Sequence, residues 1–180
     1  MFAHLVTSPE YAQFSPEIIS RPIANPNPKF NEVDGPWIVV LNDFLSEEEC
    51  EILMELADEE EYEPIEGYQD DEEEIYQSFG RRLCKGECSD ADVVATIEER
   101  LEYITGVPRH HSELFEFVQY GEGDMLGVHS DYIAGEYSRM QGPRIFTVIV
   151  FLNSIPQSED EDADYNGGIE FPFIDTVRFR

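Results

Sequence analysis

The segment that most constrains the fold is RIFTVIVFLN at positions 144–153, because it is apolar at nearly every position. In a β-strand, successive side chains point to opposite sides of the sheet, so both sides of this segment would need cover. The segment therefore predicts a central, buried strand with material packed on each face of its sheet. A chain of 180 residues is long enough for one domain with such a core.

After one predicted strand at residues 37–44, the helical patterns come before the other strand patterns in this chain. The first helix is expected after Ser46, which forms a capping-box pattern with Glu49. The second is expected to begin near Ser89 and to end at Gly106. Its predicted buried stripe consists of Val94, Ile97, Leu101 and Ile104. Further strands are predicted at residues 37–44 (WIVVLNDF), 114–120 (LFEFVQY), 126–132 (LGVHSDY) and 176–180 (TVRFR).

Helices followed by several short strands indicate an α+β domain with a sandwich or barrel of strands. Residues 1–36 contain six prolines and little periodicity, so we predict an extended lead-in there and the folded domain at residues 37–180. Since TVRFR alternates like the start of a strand, the sheet is expected to be incomplete at its C-terminal end.

The chain is strongly acidic, with 40 Asp and Glu against 11 Lys and Arg and a net charge of −29. This charge argues against nucleic acid or an anionic membrane surface as a partner. No apolar run is long enough to span a membrane, and the N-terminus shows no secretory signal pattern. Of the three cysteines, Cys84 and Cys88 are close enough to pair, and the sequence leaves open whether they do.

His129-Ser130-Asp131 is the strongest local signal for chemistry. On a strand, residues two apart point to the same side, so the imidazole and the carboxylate would lie together. Such a pair suits two of the three ligands of a 2-His-1-carboxylate iron site. Taken alone, the pattern is common by chance and is more typical of a surface histidine beside an acid.

The surrounding sequence gives this pair its context. In order, HSELFEFVQYGEGDMLGVHSDY, GPRIFTVIVFLN and GGIEFPF resemble the core of the prolyl 4-hydroxylase alpha-subunit family, and the resemblance extends from residue 37 to the end. It implies N-terminal helices packed on a double-stranded β-helix, or jelly roll, lacking its last strands here. It also implies a dioxygenase that uses Fe(II), 2-oxoglutarate and ascorbate to hydroxylate a peptide or protein substrate at proline. By resemblance the endoplasmic reticulum is one expected compartment, and the cytoplasm is the other because no signal pattern is visible, so the sequence leaves the compartment open.

Position by position, the resemblance implies that His129 and Asp131 bind iron and that Tyr120 contacts 2-oxoglutarate. Thr147 matches a threonine that lines the same pocket, although a β-former on a buried strand explains it as well. Arg144 matches an arginine near the peptide-substrate groove, and could equally cap the edge of a sheet.

Two departures from the family pattern matter. The family often has a tyrosine three residues before the proximal histidine, where this chain has Leu126, so an aromatic contact to a substrate proline would be missing and the sequence leaves open whether proline is the substrate. None of the four histidines follows Asp131, so the distal iron ligand and the basic residue for the 2-oxoglutarate tail would lie beyond residue 180. The alternative is therefore a catalytically inactive fragment or a peptide-binding module.

A second metal pattern starts at Asp162. Asp162, Asp164, Asn166 and Gly167 match the opening of an EF-hand calcium loop. The twelfth position, however, is Phe173 instead of the bidentate glutamate. An acidic surface insert explains these residues equally well.

Overall fold

A computed structural model describes residues 2–24, 33–34, 36–58, 62–64, 80–121, 124, 126–133, 142–154, 168–172 and 177–179. These residues form helices and small antiparallel sheets, as the predicted α+β class requires. The jelly-roll arrangement and the domain boundary at residue 37 stay predictions. The chain divides into two compact units, residues 1–46 with 153–180, and residues 47–152. In the described part of the chain, no helix is long and apolar enough to cross a membrane.

The first unit begins with residues that were expected to be extended, and much of that expectation is wrong. Its elements are α1 (Phe2–Thr7), a 3-10 helix (Pro9–Phe14), β1 (Pro16–Ser20), β2 (Ile23–Ala24), β3 (Val33–Asp34) and β4 (Ile38–Leu41). Pro9 and Pro16 are the first residues of their elements, where the missing N–H breaks no hydrogen bond within the element. The prolines therefore separate elements instead of preventing them.

Strand β1 pairs antiparallel with β4, which confirms the strand predicted at residues 37–44. The apolar core of this unit is small and largely aromatic. Its buried side chains include Leu5, Tyr11, Phe14 and Phe44. Near the C-terminus, β8 (Ile169–Phe171) pairs antiparallel with β9 (Val177–Phe179), so the strand predicted in TVRFR is present. The residues that match the opening of a calcium loop, Asp162 to Gly167, and Phe173 at its twelfth position lie outside the described residues.

The second unit contains both predicted helices. Its elements are α2 (Glu47–Asp58), β5 (Glu63–Pro64), β6 (Gly80–Leu83), α3 (Asp92–Thr105), a 3-10 helix (Arg109–His111) and β7 (Glu116–Gln119). On α3, Val94, Ile97 and Ile104 are buried and Leu101 is half-buried, as predicted. Gly106 ends the helix in a left-handed conformation with φ of 67°, which glycine adopts without steric cost.

A buried arginine joins the small sheet β5-β6-β7 to helix α2, and a disulfide closes a short loop between β6 and α3. The Arg82 Nη1 group on β6 donates hydrogen bonds to the carbonyl oxygens of Leu56 and Ala57 in the last turn of α2. These carbonyls have no partner within their own helix, so Arg82 satisfies them. Just after β6, Cys84 bonds to Cys88, which answers the question that the sequence left open.

The two strands predicted around the candidate site are absent from the described residues. Residues 126–133 and 142–154 contain no strand, and the segment 144–153 is not a buried central strand. Ile145 is 68% exposed and Ile149 is 58% exposed. A strand requires a neighbour that pairs with its backbone N–H and C=O groups, and none of the described strands pairs with either segment. The predicted strand at 114–120, by contrast, is present as β7 and pairs with β6.

Candidate metal centre

The orientation of the His129 ring is set by a backbone group. Nδ1 lies 2.9 Å from the carbonyl oxygen of Gly127. A carbonyl oxygen can only accept, so Nδ1 carries the hydrogen and donates it. In the neutral ring, the other nitrogen, Nε2, is then the one with a free lone pair.

That lone pair points at a carboxylate. Nε2 of His129 lies 3.1 Å from Oδ1 of Asp131. Both atoms are acceptors when the ring is neutral, so their approach is favourable only when a proton or a metal cation lies between them. The two side chains are 50% and 40% exposed, which leaves the pair accessible from solvent. The sequence predicted that these two side chains lie together, and they do, although residues 126–133 are not a strand.

The second oxygen of Asp131 has a different partner. The Thr147 hydroxyl donates a hydrogen bond of 2.6 Å to Oδ2. Three of the five predicted site residues are therefore in contact within one group. The sequence suggested Thr147 for a co-substrate pocket, and the contact in the structure is with the carboxylate.

Arg144 forms an ion pair that the sequence did not predict. Its Nε and Nη2 groups donate to the two carboxylate oxygens of Glu113, at 2.6 and 2.9 Å. Paired donors of this kind fix the orientation of an arginine as well as its position. No sequence signal selects Glu113, because it is one of 40 acidic residues. The proposed place of Arg144 in a peptide groove stays a prediction.

Tyr120 directly follows strand β7 and is about half exposed. Burial raises the pKa of its phenol above the ordinary value, and the negative charge of Glu116 raises it further. The phenol therefore keeps its proton and remains a hydrogen-bond donor around neutral pH. Its contact with 2-oxoglutarate stays a prediction.

The donor atoms of His129 and Asp131 are of the types that Fe(II) accepts in a 2-His-1-carboxylate site. Among the described residues, no group of three or more His, Cys, Asp or Glu side chains converges as a complete metal site. The pair therefore fits as two of three protein ligands. A ring nitrogen that faces a carboxylate oxygen at 3.1 Å is an arrangement that a cation between the two atoms would need.

The chain is similar to prolyl 4-hydroxylases of Arabidopsis thaliana. It is 31% identical over 144 residues to Prolyl 4-hydroxylase 5, which covers 76% of this chain and 45% of that protein. It is 29% identical over 151 residues to Prolyl 4-hydroxylase 1, covering 75% of this chain and 52% of the relative. It is 28% identical over 127 residues to Probable prolyl 4-hydroxylase 3, covering 68% and 43%.

The chain spans about half the length of the curated relatives it matches. No protein-family model matches it, and no solved structure matches it significantly. The relatives named above share one family name, and it is the family that the sequence around His129 and Asp131 resembles. The chain belongs to the prolyl 4-hydroxylase family.

Proposed function

We propose that this chain is part of a Fe(II)/2-oxoglutarate-dependent dioxygenase that hydroxylates a peptidyl residue, namely proline. The observation that carries the proposal is the approach of His129 Nε2 to Asp131 Oδ1, at 3.1 Å, with Nδ1 turned to a carbonyl oxygen. Family membership gives the reaction class, since the matched relatives are named prolyl 4-hydroxylases.

His129 would bind the metal through Nε2 and Asp131 through Oδ1. When bound, iron supplies the oxidising chemistry with 2-oxoglutarate as co-substrate, and ascorbate supports turnover. The Tyr120 phenol would donate a hydrogen bond to a carboxylate of 2-oxoglutarate, for which its raised pKa is suitable. Thr147 would lie at the edge of the same pocket. The fold proposed for the domain is a double-stranded β-helix.

The substrate proposed is a basic or neutral proline-containing peptide. A net charge of −29 would attract cationic peptides and repel acidic ones. Arg144 would lie near the peptide, where its ion pair with Glu113 keeps its guanidinium from adding a free positive charge. At position 126 a leucine, 40% exposed, offers apolar contact without an aromatic ring.

Turnover of 2-oxoglutarate tests the proposal directly. The 180-residue chain is incubated with Fe(II), ascorbate, 2-oxoglutarate and a lysine-containing proline-rich peptide, and succinate is measured. His129→Ala is expected to lower turnover more than ~100-fold, because a direct ligand matters more than its supporting groups. His110→Ala is the matched control, because this exposed histidine lies in the 3-10 helix Arg109–His111. Absence of turnover by the unaltered chain would contradict activity of these 180 residues and favour the peptide-binding module described next. Equal turnover by both variants would contradict the proposed metal site.

A peptide-binding module without turnover is the second candidate. It is favoured by the presence of only two candidate ligands in the described residues and by the exposed apolar side chains of Ile145, Val148 and Ile149. This function predicts that the chain binds a proline-rich peptide equally well with and without Fe(II), and makes no succinate. Peptide binding that requires Fe(II) and 2-oxoglutarate would contradict it.

A further inference from the structure

We infer that Thr147 is a positioning residue: its hydroxyl holds Oδ2 of Asp131, so that the carboxylate binds the metal through Oδ1 alone. The inference rests on the proposed function, because it concerns the metal bound by His129 and Asp131. It assigns Thr147 a role beyond the co-substrate pocket suggested by the family resemblance.

The two oxygens of the Asp131 carboxylate have different surroundings. Oδ1 lies 3.1 Å from His129 Nε2, whereas Oδ2 accepts the 2.6 Å hydrogen bond from Thr147. A hydroxyl group donating to an ionised carboxylate forms a short, strong bond. Oδ2 therefore accepts a hydrogen bond from a neutral donor, and Oδ1 is the oxygen that faces His129.

This asymmetry matters for the number of open positions on the metal. A carboxylate can bind a cation through one oxygen or through both. Binding through both would use an additional coordination position, and 2-His-1-carboxylate sites depend on positions left open for other reactants. A donor on Oδ2 disfavours the two-oxygen mode, because it uses one of the two lone pairs of Oδ2 and stabilises negative charge there that a metal would otherwise attract.

The position of the Thr147 hydroxyl is not maintained by a β-ladder, since residues 142–154 contain no strand. The nearby constraint is the bidentate ion pair of Arg144 with Glu113. Arg144 is three residues before Thr147, and Glu113 is three residues before the start of β7. The ion pair thus links the segment that contains Thr147 to the residues just before strand β7 of the sheet β5-β6-β7.

Titration of the purified chain with Co(II) tests the inference, with metal binding followed by visible absorption in the absence of 2-oxoglutarate. Thr147→Val replaces the hydroxyl by a methyl group at nearly constant volume, and is expected to weaken Co(II) binding ~10-fold. Thr147→Ser keeps the hydroxyl and is expected to stay within about twofold of the unaltered chain. The matched control is Thr96→Val, because the exposed Thr96 hydroxyl bonds only within its own helix, to the Asp92 carbonyl oxygen.

A second readout reports the binding mode of the carboxylate. Infrared difference spectra of the Zn(II)-loaded chain give the frequency separation between the antisymmetric and symmetric stretching bands of the Asp131 carboxylate. This separation should narrow in Thr147→Val, because binding through one oxygen is replaced by binding through both oxygens. Asp131→Ala identifies these bands and should abolish Co(II) binding. A purely structural role of Thr147 would alter thermal stability without narrowing the separation.

The outcomes separate this inference from the proposed function. If the unaltered chain binds Co(II) no better than Asp131→Ala, the metal site itself is wrong and both fail. If the unaltered chain binds Co(II) and Thr147→Val binds it equally well with unchanged bands, only the inference is overturned. Failure of Thr147→Ser to retain binding would also overturn it, because the hydroxyl would then not be the group responsible.

Discussion

Two stretches of the second unit differ sharply although both are rich in apolar residues. Residues 80–121 form β6, α3 and β7, and contribute buried side chains such as Val94, Ile97 and Phe117. Residues 126–133 and 142–152 form no helix or strand, and most of their apolar side chains are exposed, Val128 by 69%. The two proposed metal ligands, His129 and Asp131, lie in this second stretch.

The difference shows what an apolar pattern can and cannot specify. In the first stretch, the helix forms its own backbone hydrogen bonds, and β6 has neighbours on both sides in β5 and β7. In the second stretch, the backbone depends on partners that the described strands do not supply. Apolar composition predicts that a segment is to be covered, whereas the covering partner has to come from elsewhere in the fold.

The largest change in the free energy of unfolding is expected from an isoleucine-to-alanine substitution in the first stretch, and the same substitution in the second stretch serves as its comparison. Ile97→Ala should lower the free energy of unfolding by about 3 kcal/mol, because Ile97 is only 3% exposed and its removal leaves a cavity. Ile145→Ala should change it by less than about 0.5 kcal/mol, because Ile145 is 68% exposed. Urea unfolding followed by circular dichroism measures both.

This pair of variants can show whether the difference in burial between the two stretches exists in solution. The two substitutions delete the same atoms, so intrinsic differences between isoleucine and alanine largely cancel. A loss of 2 kcal/mol or more in Ile145→Ala would mean that Ile145 is covered in solution, as the predicted central strand would require. The contrast drawn between the two stretches would then be wrong.

Local sequence signals were sufficient for the helices. The spacing of Val94, Ile97 and Ile104 predicted the buried face of α3, and Gly106 predicted its end, because both depend on residues within a few positions of each other. The prolines at positions 9 and 16 contributed to the prediction of an extended segment at residues 1–36. Proline is equally compatible with the first residue of a helix or strand, which is where both of them lie.

The candidate site was predictable only in part. His129 and Asp131 are two residues apart, so their proximity could be expected from local geometry. The contact of Thr147 with Asp131 spans 16 residues, and that of Arg144 with Glu113 spans 31. Such contacts depend on the path of the chain between them, which no local pattern encodes. The family resemblance placed Thr147 and Arg144 near a site but did not give these partners.

The disulfide is a second source of stability that distinguishes the two stretches, because both of its cysteines lie in the first stretch. Breaking the Cys84–Cys88 bond should lower the free energy of unfolding by about 2 kcal/mol, the entropic contribution of closing a short loop. Reductant should lower the urea midpoint of the unaltered chain and leave that of the Cys84→Ala/Cys88→Ala variant unchanged. Cys50→Ala is the control, since Cys50 is a free thiol. A midpoint insensitive to reductant in the unaltered chain would show that the bond does not contribute to stability.

The smallest changes in the free energy of unfolding are expected from removing either of two arginine ion pairs, whose arginines lie one in each stretch. Arg100 donates to Glu49 at 2.6 and 3.1 Å, with both side chains about one-fifth exposed. Arg144→Gln should lower the free energy of unfolding by about 0.5 kcal/mol or less, because its pair with Glu113 is more solvated, at 35% and 46% exposure. Arg100→Gln should lower it by about 1.5 kcal/mol, since it leaves a partly buried carboxylate without its partner.

The two variants remove the same charge, so the added repulsion in this acidic chain is matched between them. Co(II) binding should show the opposite order: Arg144→Gln weakens it, because Thr147 is no longer anchored three residues away, and Arg100→Gln leaves it unchanged. If Arg144→Gln binds Co(II) as the unaltered chain does, the ion pair does not position Thr147. In the expected result, the stretch that contributes least to stability determines the geometry of the metal site.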